Sequence, residues 1–529
     1  MISAQVQENG ANPKKRQNPV LIGGILILLV VPLALPQSST SLYWQVLGIA
    51  LLVMGIFYTF VFKSALSSVV LAAAFASMFE APLKYLTDNK IEAAVGYLGR
   101  DLLIYSLVIS LFLGFLAKLS QGATIGKAPP VMFLIVCFLL NILIQIYNPY
   151  AYTSLASFLN SRLFWEMLPL YFIGYYYLRS VKDWKIIFTT FALLTVVNGI
   201  VATYQSAVGP ELIAAWGPGY RTQIYDAGRL GLTSDNQLTF RPFGLGPDIG
   251  FSGYLGLVTI PMLAALLASR GQSQDKFKIF SLLGQFVNTL FISVLVAGTF
   301  AAVIVSGSRT VVVIATVLTG ASLLFFSWKA SKVRLFIGVS ISIVLALASL
   351  ELVTIVAPYF AERYTTVNTA EKTVETFNSE GRLAQITQIP LSIAIRFPFG
   401  AGLDNLGPGA TFSNVIAGSP VRPQPENTEN TTNFALLGLG IPGFLLWLSI
   451  HLQFIRLSWK GIQSVPDQEA KTLMGGGFIL LFLLLFSWPF GGIILFPYNM
   501  LFWLIPGMIL GTADEYRKKR IAKAIEERF

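Results

Sequence analysis

The chain has 529 residues, 54% of them hydrophobic and only 12% charged, against about 25% charge in an ordinary soluble protein. One cysteine, Cys137, rules out an intrachain disulfide, and a single histidine leaves no His/Cys set for a zinc site. The net charge of +11 points toward nucleic acid only if it is not already explained by the side of a membrane on which the basic residues fall.

Apolar runs recur along the whole sequence, each close to the ~20 residues a helix needs to cross the hydrocarbon. In chain order they fall near 19–36, 42–62, 65–80, 101–117, 129–147, 163–178, 185–207, 249–269, 279–305, 309–327, 335–357, 433–455, 472–488 and 493–511. The first follows Lys14-Lys15-Arg16 but ends in LALPQSS, which has no small-x-small cleavage site, so it reads as a retained span. The third and sixth are the weakest, because Glu80 lies in one and Glu166 and Pro169 in the other. The expected fold is all-α: a polytopic membrane protein of about 14 transmembrane helices. A tail over 1–18 and a basic tail over 512–529 flank a membrane domain over 19–511. Two long loops, 208–248 and 358–432, interrupt that domain, and the second has enough aliphatic residues for short helices.

With Lys14-Lys15-Arg16 in the cytoplasm and sides alternating, LRSVKDWK, SRGQSQDKFK, SWKASKVR, IRLSWKG and the C-terminal tail all fall inside. Both termini are then cytoplasmic and both long loops face outward. The 37 basic residues divide into 16 Lys and 8 Arg inside and 3 Lys and 10 Arg outside. The inner set is a topogenic signal rather than a nucleic-acid surface. Guanidinium, which predominates outside, binds phosphate and carboxylate through a planar fork and keeps its charge when partly desolvated. Arg221, Arg229 and Arg241 lie in the first loop, Arg309 in the SGSRT turn, and Arg363, Arg382, Arg396 and Arg422 in the second loop. Some of these pair with neighbouring carboxylates or lipid phosphates on the plainest reading. Arg241 and Arg309 each abut a span, which marks them as candidates to hold a strongly anionic, lipid-borne group.

The stretch PENTENTTN over 425–433 runs into the apolar FALLGLGIPG. Thr432 or Asn433 is the expected N-cap there. Glu426 and Glu429 read either as a hydrophilic cap or as chemistry, with Glu429 a candidate general base. The helix dipole and nearby arginines favour its ionised form and burial opposes it. His451 lies 18 residues beyond Asn433. A straight helix carries it on the order of 25 Å deeper, toward the cytoplasmic end.

Four segments together resemble the bacterial O-antigen ligase and polysaccharide polymerase superfamily. They are RPFGLGPDIGFSGYLGLVTIPML, VIVSGSRTVVVIA, GRLAQITQIPLSIAIRFPFGAGLDNL and ENTTNFALLGLGIPG, spread over roughly 240–450. The resemblance implies a GT-C-like glycosyltransferase that takes glycan from undecaprenyl pyrophosphate at the outer face of the bacterial inner membrane, with no metal or other cofactor. Arg241 and Arg309 match the arginines that hold the pyrophosphate, and Arg382 matches the loop arginine. Glu429 stands where ligases carry His, and Asn430 keeps the family Asn. Asn430, Arg221 and Arg229 are the candidate acceptor or glycan contacts. The missing His favours a polymerase of repeat units over a ligase acting on lipid A core. Chain-length regulator and flippase proteins are the implied partners. A transporter or glycolipid flippase is the competing class, but it would show repeated halves and charges near the midplane.

Overall fold

The computed structural model describes residues 37–86, 90–121, 128–151, 153–226, 230–232, 238–248, 250–270, 281–327, 382–404, 430–488 and 496–527. In chain order the helices are α1 (Gln37–Phe62), α2 (Ala65–Met78), α3 (Glu80–Tyr85), α4 (Lys90–Ser120), α5 (Met132–Ile146), α6 (Ser154–Trp165), α7 (Pro169–Tyr177), α8 (Val181–Ala214) and α9 (Pro218–Arg221). They continue as α10 (Phe251–Arg270), α11 (Ser281–Val305), α12 (Arg309–Ser327), α13 (Arg382–Ile386), α14 (Gln388–Arg396), α15 (Thr431–Ser464), α16 (Gln468–Phe486) and α17 (Tyr498–Glu526). The expected all-α fold has one small addition. β1 (Leu230–Leu232) and β2 (Leu238–Phe240) pair antiparallel, Leu230 opposite Phe240, within the 208–248 segment.

Among the described residues, five helical stretches are long and apolar enough to cross a membrane: Leu98–Ala117, Val181–Ala214, Phe251–Ser269, Thr431–Ser464 and Gln468–Phe486. Shorter apolar stretches lie in α1, α2, α5, α11 and α12. Phe57, Phe112, Phe133, Leu140 and Ile144 point away from the protein, an apolar surface suited to lipid rather than water. The expected spans at 19–36 and 335–357 lie outside the described residues.

Local chemistry sets many of the helix ends. Ser180 and Asp183 form a reciprocal capping box at the start of α8. Thr153 caps α6 and Asp467 caps α16. Two helices depart from the expected straight spans. The sixth expected span, 163–178, straddles the break between α6 and α7, where Pro169 has no N–H to continue the ladder. α15 is bent at Gly440, whose φ of +69° is not helical.

α10 is the hub, packed against α8, α11, α12 and α16. α7 and α17 approach backbone to backbone. A Cβ on Gly174 would lie 2.7 Å from Leu504 O and 2.8 Å from Met508 N, so this crossing requires glycine. One end of the bundle gathers Arg179, Lys185, Asp467, Glu469, Asp514, Glu515 and Tyr516, with Arg179 Nη1 3.4 Å from Glu515 and Tyr516 Oη donating to Asp467 at 2.7 Å. LRSVKDWK and the C-terminal tail, two of the segments assigned to one side from the sequence, therefore meet in space beside the turn between α15 and α16. The opposite end carries the candidate site.

Candidate functional site

The site's first limb is the RPFGLGPDIG loop that follows β2. Two buried amides on α8 pin it. Gln205 Oε1 accepts from Gly244 N and Gln205 Nε2 donates to Gly244 O, both at 2.8 Å, while Asn198 Oδ1 accepts from Leu245 N at 2.8 Å. Gly244 has a φ of +64°, and a Cβ there would lie 2.7 Å from Asn198 Oδ1. Only glycine fits that position. The loop closes on itself where Gly250 N donates to Pro242 O at 2.8 Å. Gly250 and Gly253 then press on the Ser306 turn: a Cβ at Gly253 would meet Ser306 Oγ at 2.6 Å, and Ser252 Oγ donates to Ala302 O at 3.0 Å. Arg241 precedes Pro242, and Arg309 opens α12 three residues after Ser306. The fold thus brings together two motifs that lie about 65 residues apart in sequence. Arg241 is half-buried and makes no hydrogen bond or ion pair with the described residues.

The second limb joins the other two motifs. Asn430 caps α15, its Oδ1 accepting from Asn433 N at 2.8 Å. Its Nδ2 donates to Gln385 O in α13 at 3.1 Å, and Asn433 Nδ2 donates to the same oxygen at 3.0 Å. A second weld lies at the bend of α15. Gly440 and Gly400, with φ of +69° and +88°, abut so closely that a Cβ on Gly440 would lie 2.6 Å from Gly400 N. Ala401 N donates to Leu437 O at 2.6 Å and Ile441 N to Pro398 O at 2.8 Å. Gln145 of α5 bridges the weld through Phe399 O at 2.7 Å. The end of α16 and the start of α17 lie between the limbs. Thr432 N donates to Trp488 O at 3.4 Å, and Phe496 stacks on Phe251 at 5.9 Å.

Beside both limbs lies a buried charge cluster. Arg100 Nη2 donates to Glu166 Oε1 at 2.9 Å and its Nε to Asp101 at 3.2 Å, while Glu80 lies 3.9 Å away. Asn499 of α17 donates to the same Glu166 oxygen at 2.9 Å, and Arg162 lies 3.9 Å from the other. The carboxylates that weakened two expected spans both lie against one guanidinium. The sequence signal was available: an Arg at a span edge needs a partner, and the two weak spans each offered a carboxylate. Phe164, two residues before Glu166, packs against Phe434 of α15 with ring centroids 5.2 Å apart, linking the cluster to the second limb.

His451 does not sit at a helix end. α15 runs on to Ser464, thirteen residues beyond it. His451 is fully buried, its ring 5.4 Å from Trp488 and 5.1 Å from Phe502. Its Nε2 lies 2.9 Å from Leu481 O. A carbonyl oxygen only accepts, so Nε2 carries the proton.

Of the residues singled out from sequence, Arg221 is exposed at the end of α9. Arg309 and Arg382 are the first residues of α12 and α13. Glu429, Arg229, Arg363 and Arg422 lie outside the described residues. Asn430 is buried with both ends of its amide engaged by protein. Thr432 or Asn433 was the expected cap of α15, but Asn430 takes that role and Asn433 N is the group it caps. Gln205, Asn198 and Gln145 were not singled out, because an amide inside an apolar run carries no local sign of which backbone group it will meet.

A search of curated proteins finds no match to this chain. Residues 292–448 match a family model described as O-antigen ligase. That span holds the Ser306–Arg309 turn, α13, α14 and the first half of α15, while the Arg241 loop precedes it. Together with the helices of membrane-crossing length, this match supports a place for the chain in the superfamily of O-antigen ligases and polymerases.

Proposed function

We propose that the chain is a membrane glycosyltransferase that uses undecaprenyl-pyrophosphate-linked glycan at the outer face of the inner membrane and polymerises polysaccharide repeat units. The observation that carries this is the juxtaposition of the Arg241 loop with the Arg309 turn through Pro242, Gly250 and Ser306. Two guanidiniums supplied from rigid backbone suit a pyrophosphate whose charge grows as it leaves. The acceptor hydroxyl attacks the anomeric carbon and the bond from that carbon to the pyrophosphate oxygen breaks. The hydroxyl proton passes to a carboxylate, for which Glu429 is the candidate. Arg382 adds charge from the second limb, and orientation supplies much of the remaining acceleration. Both termini are cytoplasmic on this reading, and about fourteen helices cross the membrane.

A ligase is the second reading, favoured by the description of the matched family model. Surface glycan from a deletion strain separates the two. Loss of long chains with single repeats retained marks a polymerase. Loss of all lipid-A-linked repeats with lipid-linked polymer accumulating marks a ligase. In either case Arg241→Ala and Arg309→Ala are expected to abolish product while insertion persists, and full transfer by both variants would defeat the reading.

A further inference from the structure

α13 has five residues, far fewer than a helix needs to offset its own nucleation. Something outside it must hold it, and two amides from α15 do. Asn430 Nδ2 and Asn433 Nδ2 converge on the main-chain oxygen of Gln385, at 3.1 and 3.0 Å, filling both of its lone-pair positions. Asn430, Asn433 and Gln385 are 2%, 0% and 5% exposed, so water does not compete for these bonds. Capping of α15 uses the other end of Asn430, through Oδ1. The amide is therefore divided: its oxygen organises α15 and its nitrogen grips α13. Gln385 lies one turn after Arg382, and Asn430 directly follows Glu429.

We propose that Asn430 and Asn433 form a positioning clamp. It sets the turn that bears Arg382 against the start of α15 and so fixes the backbone position from which Arg382 acts. The inference rests on the glycosyl-transfer reading above, in which Arg382 carries charge from the leaving pyrophosphate. Neither asparagine touches the reacting atoms in this scheme, and both act through Arg382. The oxygen of Asn430, kept as a helix cap, and its nitrogen, used across the interface, are separable by substitution. Asn430→Asp retains a capping oxygen and removes the donor.

The test uses the full chain in proteoliposomes with a polyprenyl-pyrophosphate-linked repeat unit as donor. Asn430→Asp and Asn433→Ala are each expected to lower kcat/KM on the order of tenfold or more, as for misplacement of a charge-bearing group. Residues acting as a unit are not additive, so neither change is expected to lower activity further in an Arg382→Ala background. Deuterium uptake of the α13 amides should rise in both single variants, while the helical amides of α16 stay protected. Asn430→Asp keeps its cap and carries the test alone where Asn433→Ala fails to fold. Wild-type kcat/KM in Asn430→Asp, with Arg382→Ala inactive, overturns the clamp. So does an undiminished drop on adding Asn433→Ala to Arg382→Ala. Wild-type activity in Arg382→Ala itself would overturn the clamp's purpose and the pyrophosphate role of Arg382 together.

Discussion

Glu166→Ala is the most direct probe of what holds the site end of the bundle together. Glu166 is 3% exposed and its Oε1 accepts from Arg100 Nη2 and Asn499 Nδ2, both at 2.9 Å. At that separation, with an effective dielectric of about 20, the Arg100 attraction is about 6 kcal/mol. Desolvation of the two charges consumes much of it. Removing one partner does not recover that cost, because Arg100 stays buried with only Asp101 at 3.2 Å and Glu80 at 3.9 Å. The expected loss is therefore about 3–5 kcal/mol. Glu166→Gln keeps an oxygen for Asn499 and should lose less. Purified protein in detergent, heated at one scan rate and scored for monodisperse material, reads the difference, since irreversible unfolding makes the midpoint rate-dependent. Glu166→Ala should fall well below wild type, with Glu166→Gln between them. A wild-type midpoint for Glu166→Ala would refute the view that this cluster joins α4, the α6–α7 break and α17.

Two further outcomes follow from the geometry. Burial alone would raise the Asp467 pKa, but hydrogen bonds from Tyr516 Oη and the N–H groups of Ala470 and Glu469 more than offset it and hold it below the ordinary 3.8. A depressed folded pKa contributes stability above the unfolded value and loses it as pH falls through the folded one. Asp467→Ala should therefore lower the thermal midpoint at neutral pH by an amount that shrinks as pH falls below 3.8, and a pH-independent difference would contradict this. Gly244→Ala forces a side chain into left-handed backbone against Asn198, at about 1–2 kcal/mol before any clash. It should depress transfer strongly while the protein still inserts, and wild-type kcat/KM would show that the loop does not need its present shape.

Apolarity made the spans legible, and each expected span that falls on described residues corresponds to helix. The failures came from groups whose partners are remote. Pro169 and Glu166 warned that the sixth expected span was weak, and Arg100 at a span edge needed a partner, but which carboxylate it meets, 66 positions on, is set by the fold. Gly440 was read as part of a family motif, yet its left-handed backbone exists to admit Gly400 and Phe399. His451 was read as lying toward a helix end because the expected span stops at 455, whereas α15 runs on to Ser464. Asn430 was legible as a polar residue at a helix start. That its amide is divided between α15 and α13 depends on the position of Gln385, which no local pattern encodes.

These remote contacts bear on what the matched segment means. Residues 292–448 begin inside α11 and end inside α15. Their Ser306 turn is shaped by Gly250 and Gly253 of the preceding loop and α10, which in turn hang on Gln205 and Asn198 of α8. Their Gly400–Gly440 weld is bridged by Gln145 of α5, and Thr432 N finds its acceptor at Trp488, beyond the segment's other end. Every limb of the site is thus closed by a group from outside the span that carries the family signature. That span supplies the Ser306–Arg309 turn, the clamp and the bent helix, while the surrounding helices fix where those parts stand. Transplanting it into another bundle would carry the motifs without their supports.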